Sequence, residues 1–458
     1  MSASTVVTYP APAGEILSPD YAVRVNGRPL AIYRAITQHH DKKYSFAYFD
    51  FAGTVEIEVT SPLSLANVEI LPQIDGLTSS LDANGALHLT VSRPFKISIE
   101  PDGENSPLLL FGNPLEESVP KLGDANVIYF GPGTHDAGRI SLTSNQTLYL
   151  AAGAVVKGGI EASGDNITIR GRGILDGTDW PHYGGPTQFM LGLENCTNVI
   201  IRDIILRGAW GWTIVPCGCD RVTITNVKLC GSRVDNDDGI DPVNSSNITI
   251  TECFLRTDDD CIAIKGLRGY GNKSCENITI TDCSFWTDRA NIFRIGYESD
   301  ADAMRNITAR NIDVLHFLGD YRPPETYWGT WVFYLQPSNN MPMSDLLFEN
   351  IRINAAGDDN NLIKILPMRC EGMGRENGQF VVTPYEQPGK YVKRCNFRNI
   401  SLSGKAGGKP GRIYVLGADA EHPVEDVTLQ QITRFGELAS AKSPEVTVGT
   451  HVRNIIFQ

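Results

Sequence analysis

Short runs that alternate apolar and polar positions recur along most of this chain. Asn166-Ile-Thr-Ile-Arg, Asn198-Val-Ile-Ile-Arg, Arg221-Val-Thr-Ile-Thr, Asn247-Ile-Thr-Ile-Thr, Asn277-Ile-Thr-Ile-Thr and Asn306-Ile-Thr-Ala-Arg share one pattern. Weaker copies begin at Asp345, Asn396, Asp426 and Asn454. Alternation with a period of two reads as strand. Each clear copy starts 23 to 32 residues after the last, with no helical pattern between them. That interval suits one coil of a parallel β-helix, in which three short strands and three turns close a rung. The Asn that opens each copy is expected to stack on its counterpart in the next coil, its amide satisfied in a ladder. The Asn-x-Ser/Thr sequons created in this way are a by-product of the repeat.

Residues 1–120 alternate without that period, in Tyr21-Ala-Val-Arg-Val, Val55-Glu-Ile-Glu-Val, Ala86-Leu-His-Leu-Thr-Val and Phe95-Lys-Ile-Ser-Ile. Gly, Pro and Asn-Gly turns separate the runs, which predicts a small antiparallel β-sandwich over 1–120. A β-helix is expected over 121–458, with the boundary between Gly112 and Asp124, so the fold class is all-β. The long intervals from Asn311 to Asp345 and from Asn350 to Asn396 are expected to form loops at the rim of a site.

Composition narrows the partners. The 458 residues carry a net charge of −13, which argues against nucleic acid or an anionic membrane surface. No apolar stretch approaches a membrane span. The N-terminal residues lack the basic and apolar segments of a signal peptide, so a cytoplasmic location is expected, or an extracellular one were a leader already removed. The ten cysteines lie between Cys196 and Cys395, several at core-like positions of the repeats such as Cys253 and Cys283. Stacked thiols in a reducing compartment fit this better than disulfides. No metal ligand set and no cofactor is expected.

Acidic residues crowd into two neighbouring repeats, Val234-Asp-Asn-Asp-Asp238-Gly-Ile-Asp241 and Arg256-Thr-Asp258-Asp259-Asp260-Cys-Ile-Ala-Ile-Lys265. Asp238 and Asp259 are 21 residues apart, so they are expected on adjacent rungs about 4.8 Å apart. Crowding of like charge raises carboxyl pKa values. One protonated carboxyl beside an ionised one is the equipment of glycoside hydrolysis. Because neighbouring strand residues face opposite ways, Asp259 and Asp260 can share a cleft only at a strand start or bend.

These segments resemble the paired signatures of glycoside hydrolase family 28, the polygalacturonase group, in which Asn-Thr-Asp-Gly precedes Gly/Gln-Asp-Asp-Cys. Gly211-Trp-Thr-Ile-Val-Pro and Ile174-Leu-Asp176-Gly-Thr-Asp-Trp180 resemble the family's coils before the site, and the similarity spans about residues 125–300. The resemblance implies a right-handed parallel β-helix and hydrolysis with inversion, with Asp259 as general acid and Asp238 and Asp260 activating water. Two departures stand out. Asn291 occupies the place of the family's His, and its Arg-Ile-Lys is absent from the coil at Trp331, with Lys364 a distant counterpart. A sandwich followed by a β-helix with an Asp trio is also similar to glycoside hydrolase family 49, the dextranase and isopullulanase group, which acts on neutral glucans and lacks the His.

The partner implied is an oligosaccharide or polysaccharide. Aromatic faces stack on pyranose C–H faces, which makes Trp212, Tyr297, Trp328 and Trp331 candidate substrate contacts, with Trp180, His182, Tyr183, Trp210, Trp286 and Tyr327 further aromatics. The loop from Tyr321 to Trp331 is expected to display its aromatics. Asp241, Lys265, Asn291, Arg294 and Glu298 are candidate polar contacts around the acids. Three other readings remain open: a calcium site in the acidic cluster, whose oxygens suit that ion, a lyase or epimerase on the same fold, and a non-catalytic carbohydrate-binding solenoid.

Overall fold

The computed structural model describes residues 4–37, 43–271, 273–318, 329–355, 361–376, 379–404 and 411–458, and these form strands and turns with no helix. The first strands make two sheets. One has the order Thr5–Val7, Lys43–Ala52, Leu108–Pro114, Phe95–Glu104, Glu69–Leu71, with Tyr33–Ile36 also beside Lys43–Ala52. The other runs Arg28–Pro29, Ala22–Val25, Val55–Thr60, Leu87–Val91, Thr78–Leu81. Val55–Thr60 shows why they pair face to face, since Val55, Ile57 and Val59 are buried and the residues between them exposed. They close a core with Phe49, Ile97, Leu108 and Leu110. The pairing is antiparallel as the alternation predicts, except that Leu108–Pro114 runs parallel to Lys43–Ala52. The chain visits the other sheet between these two strands, so no hairpin constrains their direction.

From Val127 onward the strands stack in parallel coils. One register column runs Ile167, Val199, Val222, Ile248, Ile278, Ile307, Leu346, Cys395, Val427, Ile455. Through Val427 these side chains are at most 1% exposed, and with Ile250, Phe285 and Phe348 they fill one continuous core. The cysteines are buried thiols within the stack and form no disulfide.

The Asn ladder is present. Asn198 donates to Asn166 at 3.2 Å, Asn277 to Asn247 at 3.1 Å and Asn306 to Asn277 at 3.2 Å. A second reason for Asn appears in the backbone, because the opening residue of each copy is left-handed, with φ of 55–58° at Asn166, Asn198, Arg221, Asn247, Asn277 and Asn306. Asn tolerates that conformation better than other side chains. The corner, more than the amide, marks the start of a copy, and this corrects one boundary. The weak copy placed at Asn396 begins at Arg394, which has φ 55°, pairs with the corner carboxylate of Asp345 and puts Cys395 in the Leu346 column.

The sandwich lies against one flank of the coils. Tyr33, Tyr44, Phe46 and Phe111 pack on Val155, Ile174, Ile205, Phe254 and Trp286. Arg172 joins Asp50 at 3.0 Å and Asp203 at 2.7 Å, and Lys228 donates to Asn113 at 2.6 Å. A separate face of the coils carries a six-stranded sheet: Ile262–Gly266, Phe293–Ser299, Phe333–Gln336, Asn361–Ile365, Arg412–Val415, Val446–Val448. The interval from Asn350 to Asn396 contains a hairpin, Glu371–Glu376 with Gln379–Pro384, beside that sheet.

Candidate active site

The two acidic segments are turns that lead into this sheet. Ile240 pairs with Ile262, and Ile262 with Phe293. Gly239 donates to the Asp260 carbonyl at 2.8 Å and Cys261 to the Asn291 carbonyl at 2.9 Å. Asp238, Asp260 and Asn291 therefore stand level on three successive coils. The spacing of 21 residues predicts Asp238 beside Asp259; the register sets Asp260 opposite it instead. Gly239 permits the close approach, since a Cβ there would come within 2.5 Å of the Cys261 carbonyl oxygen.

Asp258, Asp259 and Asp260 occupy the bend just before Ile262–Gly266, and this resolves the alternation problem. The Asp237 carboxylate fixes the bend by accepting the Asp258 amide at 2.6 Å, and the Thr287 hydroxyl donates to the Asp259 carbonyl at 2.8 Å. The three successive carboxylates then point different ways. Asp258 is fully buried and paired with Arg289 at 2.7 Å. Asp260 accepts the Asn291 side-chain amide at 2.6 Å and its backbone amide at 3.0 Å. Asp259 keeps 14% of its side chain in solvent; its carboxylate accepts the Asp260 backbone amide at 3.0 Å and lies 3.4 Å from both Arg289 and Asn236.

Lys265 lies beneath the acids. Its ammonium is 2.7 Å from Asp238, 3.0 Å from Asp241 and 3.4 Å from the centre of the Trp212 ring. Burial, and then the Asp241 charge, drive the Asp238 carboxyl well above its ordinary range. Burial pushes Asp241 up to about 7 although Lys265 opposes it. Asp260 is raised by burial and by Asp259, against Arg294, Lys265 and the Asn291 hydrogen bond. Burial also raises Glu298, with Lys265 and Arg294 opposing. Burial disfavours the Lys265 ammonium, but Asp238 and Asp241 outweigh it and its pKa rises. Such a cluster titrates as one set and holds a proton at pH values where an isolated carboxyl has lost it.

The expected contact residues divide. Asn291 and Arg294 meet the acids directly, Arg294 at 3.9 Å from Asp260, beside Gln336 and over the Tyr297 ring. Asp241 and Lys265 are buried at 0% and 4% exposure, so they support the acids from below and do not reach into solvent. Trp212 stacks on Phe189 at 5.6 Å, and the Tyr297 hydroxyl donates to Glu371. Glu298 is buried in the field of Lys265 and Arg294. Trp331, expected in a displayed loop, is fully buried: its amide donates to Asn291 at 2.7 Å and its ring packs on Tyr414. Its place beside Asn291 in the rung makes it a floor residue. Trp328, with most of its loop, lies outside the described residues. Sequence reasoning missed Asp237 and Arg289 as the groups that aim the acidic bend. Their only signal was an Asp in a run of Asp and an Arg beside the position of the absent His.

Solved structures share this fold. Dex49A from Penicillium minioluteum superimposes with a TM-score of 0.74 and 16% identity, over 96% of this chain and 94% of that one. The Yersinia enterocolitica family 28 exopolygalacturonase does so with a TM-score of 0.55 and 14% identity, over 99% and 96%. Both likenesses show the fold. In sequence, the exopolygalacturonase of Oenothera organensis is 30% identical over 131 residues, 26% of this chain and 35% of that protein. The chain spans about half or less of the length of the first curated relatives it matches. Residues 157–315, which hold both aspartate turns and the Arg289–Asn291 turn after them, match the family model of Glycosyl hydrolases family 28, as the motif resemblance implied.

Proposed function

We propose that this chain is an inverting glycoside hydrolase of oligo- or polysaccharides. The observation that carries the reading is the trio Asp238, Asp259 and Asp260 on adjacent coils, with Asp259 alone keeping an appreciable share of its side chain in solvent. In this reading Asp259 gives a proton to the glycosidic oxygen as the C–O bond breaks. Water attacks the anomeric carbon from the opposite face and gives its proton to Asp238 or Asp260, which inverts the configuration. The substrate is read as neutral at the reacting unit, because the neighbouring cations are engaged with carboxylates. Lys265 is engaged with Asp238 and Asp241, Arg289 with Asp258 and Asp259, and Arg294 with Asp260. A uronate would have to displace one of these pairs.

The test is a panel of glucan, galactan, arabinan and homogalacturonan oligosaccharides, with product anomers followed by proton NMR. Hydrolysis with inversion, reduced by roughly 10²–10⁴-fold in Asp259→Asn, is expected. Full turnover in that variant, or a product of retained configuration, overturns the reading.

A further inference from the structure

Tyr183 is 65% exposed at the edge of the site, where Trp212, Tyr297 and Trp331 are buried. Its φ is 56°, a left-handed conformation that is costly for a ring-bearing residue. The loop enforces it. The Tyr183 amide donates to the Trp210 carbonyl at 2.7 Å, and the Trp210 indole donates to Thr187 at 3.1 Å. Gly185 lies so close to Trp210 that a Cβ would come within 1.9 Å of the indole. Arg233 holds the Trp180 carbonyl at 2.8 Å while its own amide donates to Asp237, the residue that fixes the acidic bend. The loop is thus tied to the machinery that aims the acids.

The Tyr183 ring fills no core. His182 stacks on it at 4.0 Å, and a Cβ on Gly211, next to Trp212, would meet its edge at 3.2 Å. Partial desolvation and then the Asp238 charge, with Asp259 adding to it and Lys265 opposing, push the phenol up to about 12, so the ring stands within the field of the catalytic cluster. Strain, anchorage and exposure at the mouth of the site have no packing return.

We propose that Tyr183 is the platform on which a pyranose ring of the glycan lies beside the reacting unit, on the side of the acids facing the earlier coils. The C–H face of a pyranose is apolar and matches an aromatic face. A ring already locked in place by its loop loses little freedom on binding. This inference rests on the glycosidase reading. Because Tyr183 contacts a sugar that does not react, its contribution is the same in the ground and transition states and falls on KM.

The test compares Tyr183→Gly, which suits the left-handed backbone and should keep the thermal midpoint, with Tyr183→Phe. Calorimetric binding is measured in an Asp259→Asn background with gluco-, galacto- and galacturono-hexasaccharides, and KM and kcat are measured for the best substrate of the unaltered chain. Tyr183→Gly is expected to weaken binding and raise KM about tenfold with kcat little changed, while Tyr183→Phe keeps both. Unchanged binding in Tyr183→Gly, an equal loss in Tyr183→Phe, or a loss confined to kcat overturns the proposal. Binding without turnover in the unaltered chain counts against the glycosidase reading alone and leaves the comparison intact.

Discussion

The ammonium of Lys265 sits 2.7 Å from the carboxylate of Asp238, with 5% and 3% of the two side chains exposed. Removing one partner of such a pair leaves charge buried without compensation, which typically costs about 3–5 kcal/mol. Lys265→Met is therefore expected to lose stability on that order at pH 7, read by chemical denaturation. With the cation gone, the native state takes up protons on Asp238 and Asp241 that the unfolded chain does not hold. The deficit should shrink as pH falls. In the unaltered chain the raised Lys265 pKa acts in the opposite range: its stabilisation is complete below the unfolded value and lost as pH rises through the folded one.

Asp241 gives a second pH signature. Its folded pKa of about 7 lies above the unfolded value of about 3.9, so the native state holds the extra proton between these limits. Stability contributed at this site falls as pH rises through that window. Asp241→Asn should reduce the slope in a series of thermal midpoints from pH 4 to pH 8, leaving the share that Asp238, Asp260 and Glu298 contribute. It also removes a charge that raises Asp238, so the Asp238-dependent limb of the pH–rate profile should move to lower pH.

Asn291 does for Asp260 what a charged neighbour would do elsewhere. Its side-chain nitrogen donates to Asp260 and its side-chain Oδ1 accepts the Trp331 backbone amide. Asn291→Ala should raise the Asp260 pKa further, because the lost hydrogen bond favoured the ionised form. The expected kinetic result is a kcat reduced roughly 10-fold or more with KM little altered, and an activity optimum displaced upward in pH. Rescue by Asn291→Gln would fail on geometry, since the longer side chain cannot hold both partners.

The corner ladder predicts an unusual order of substitutions. At Asn277, with φ 57°, a 3.1 Å bond to Asn247 and a 3.2 Å bond from Asn306, Ala loses both hydrogen bonds and strains the backbone. Gly loses only the two hydrogen bonds. Asn277→Ala is expected to cost about 2 kcal/mol and Asn277→Gly about half of that, by denaturant midpoint.

Asn247, Asn277 and Asn306 made the coil stack readable in the sequence, because a repeat carries its own register. The acids Asp238, Asp259 and Asp260 were readable because like charges rarely gather without a task. What one aspartate in a run faces was not readable. Asp258 turns to Arg289, Asp260 to Asn291 and Asp259 to solvent through the geometry of a bend, which alternation does not describe. Trp331 misled for a related reason: its neighbours suggested a loop, whereas its rung position beneath Asn291 buries it. Arg394 misled because a corner needs a left-handed residue more than it needs an amide.

The sandwich reaches the acids through a short chain of contacts. Tyr44 donates to the Gly231 carbonyl at 2.9 Å and lies under Arg256, whose guanidinium is 4.3 Å from the Tyr44 ring centre. Arg256 pairs with Asp288 at 3.0 Å, and the next residue, Arg289, holds Asp258. The N-terminal part is thus no detachable accessory. Excising it would bare the apolar flank and unbrace the strand beneath Asp259, so the two halves should melt in a single calorimetric transition, and neither should be a useful unit for domain shuffling.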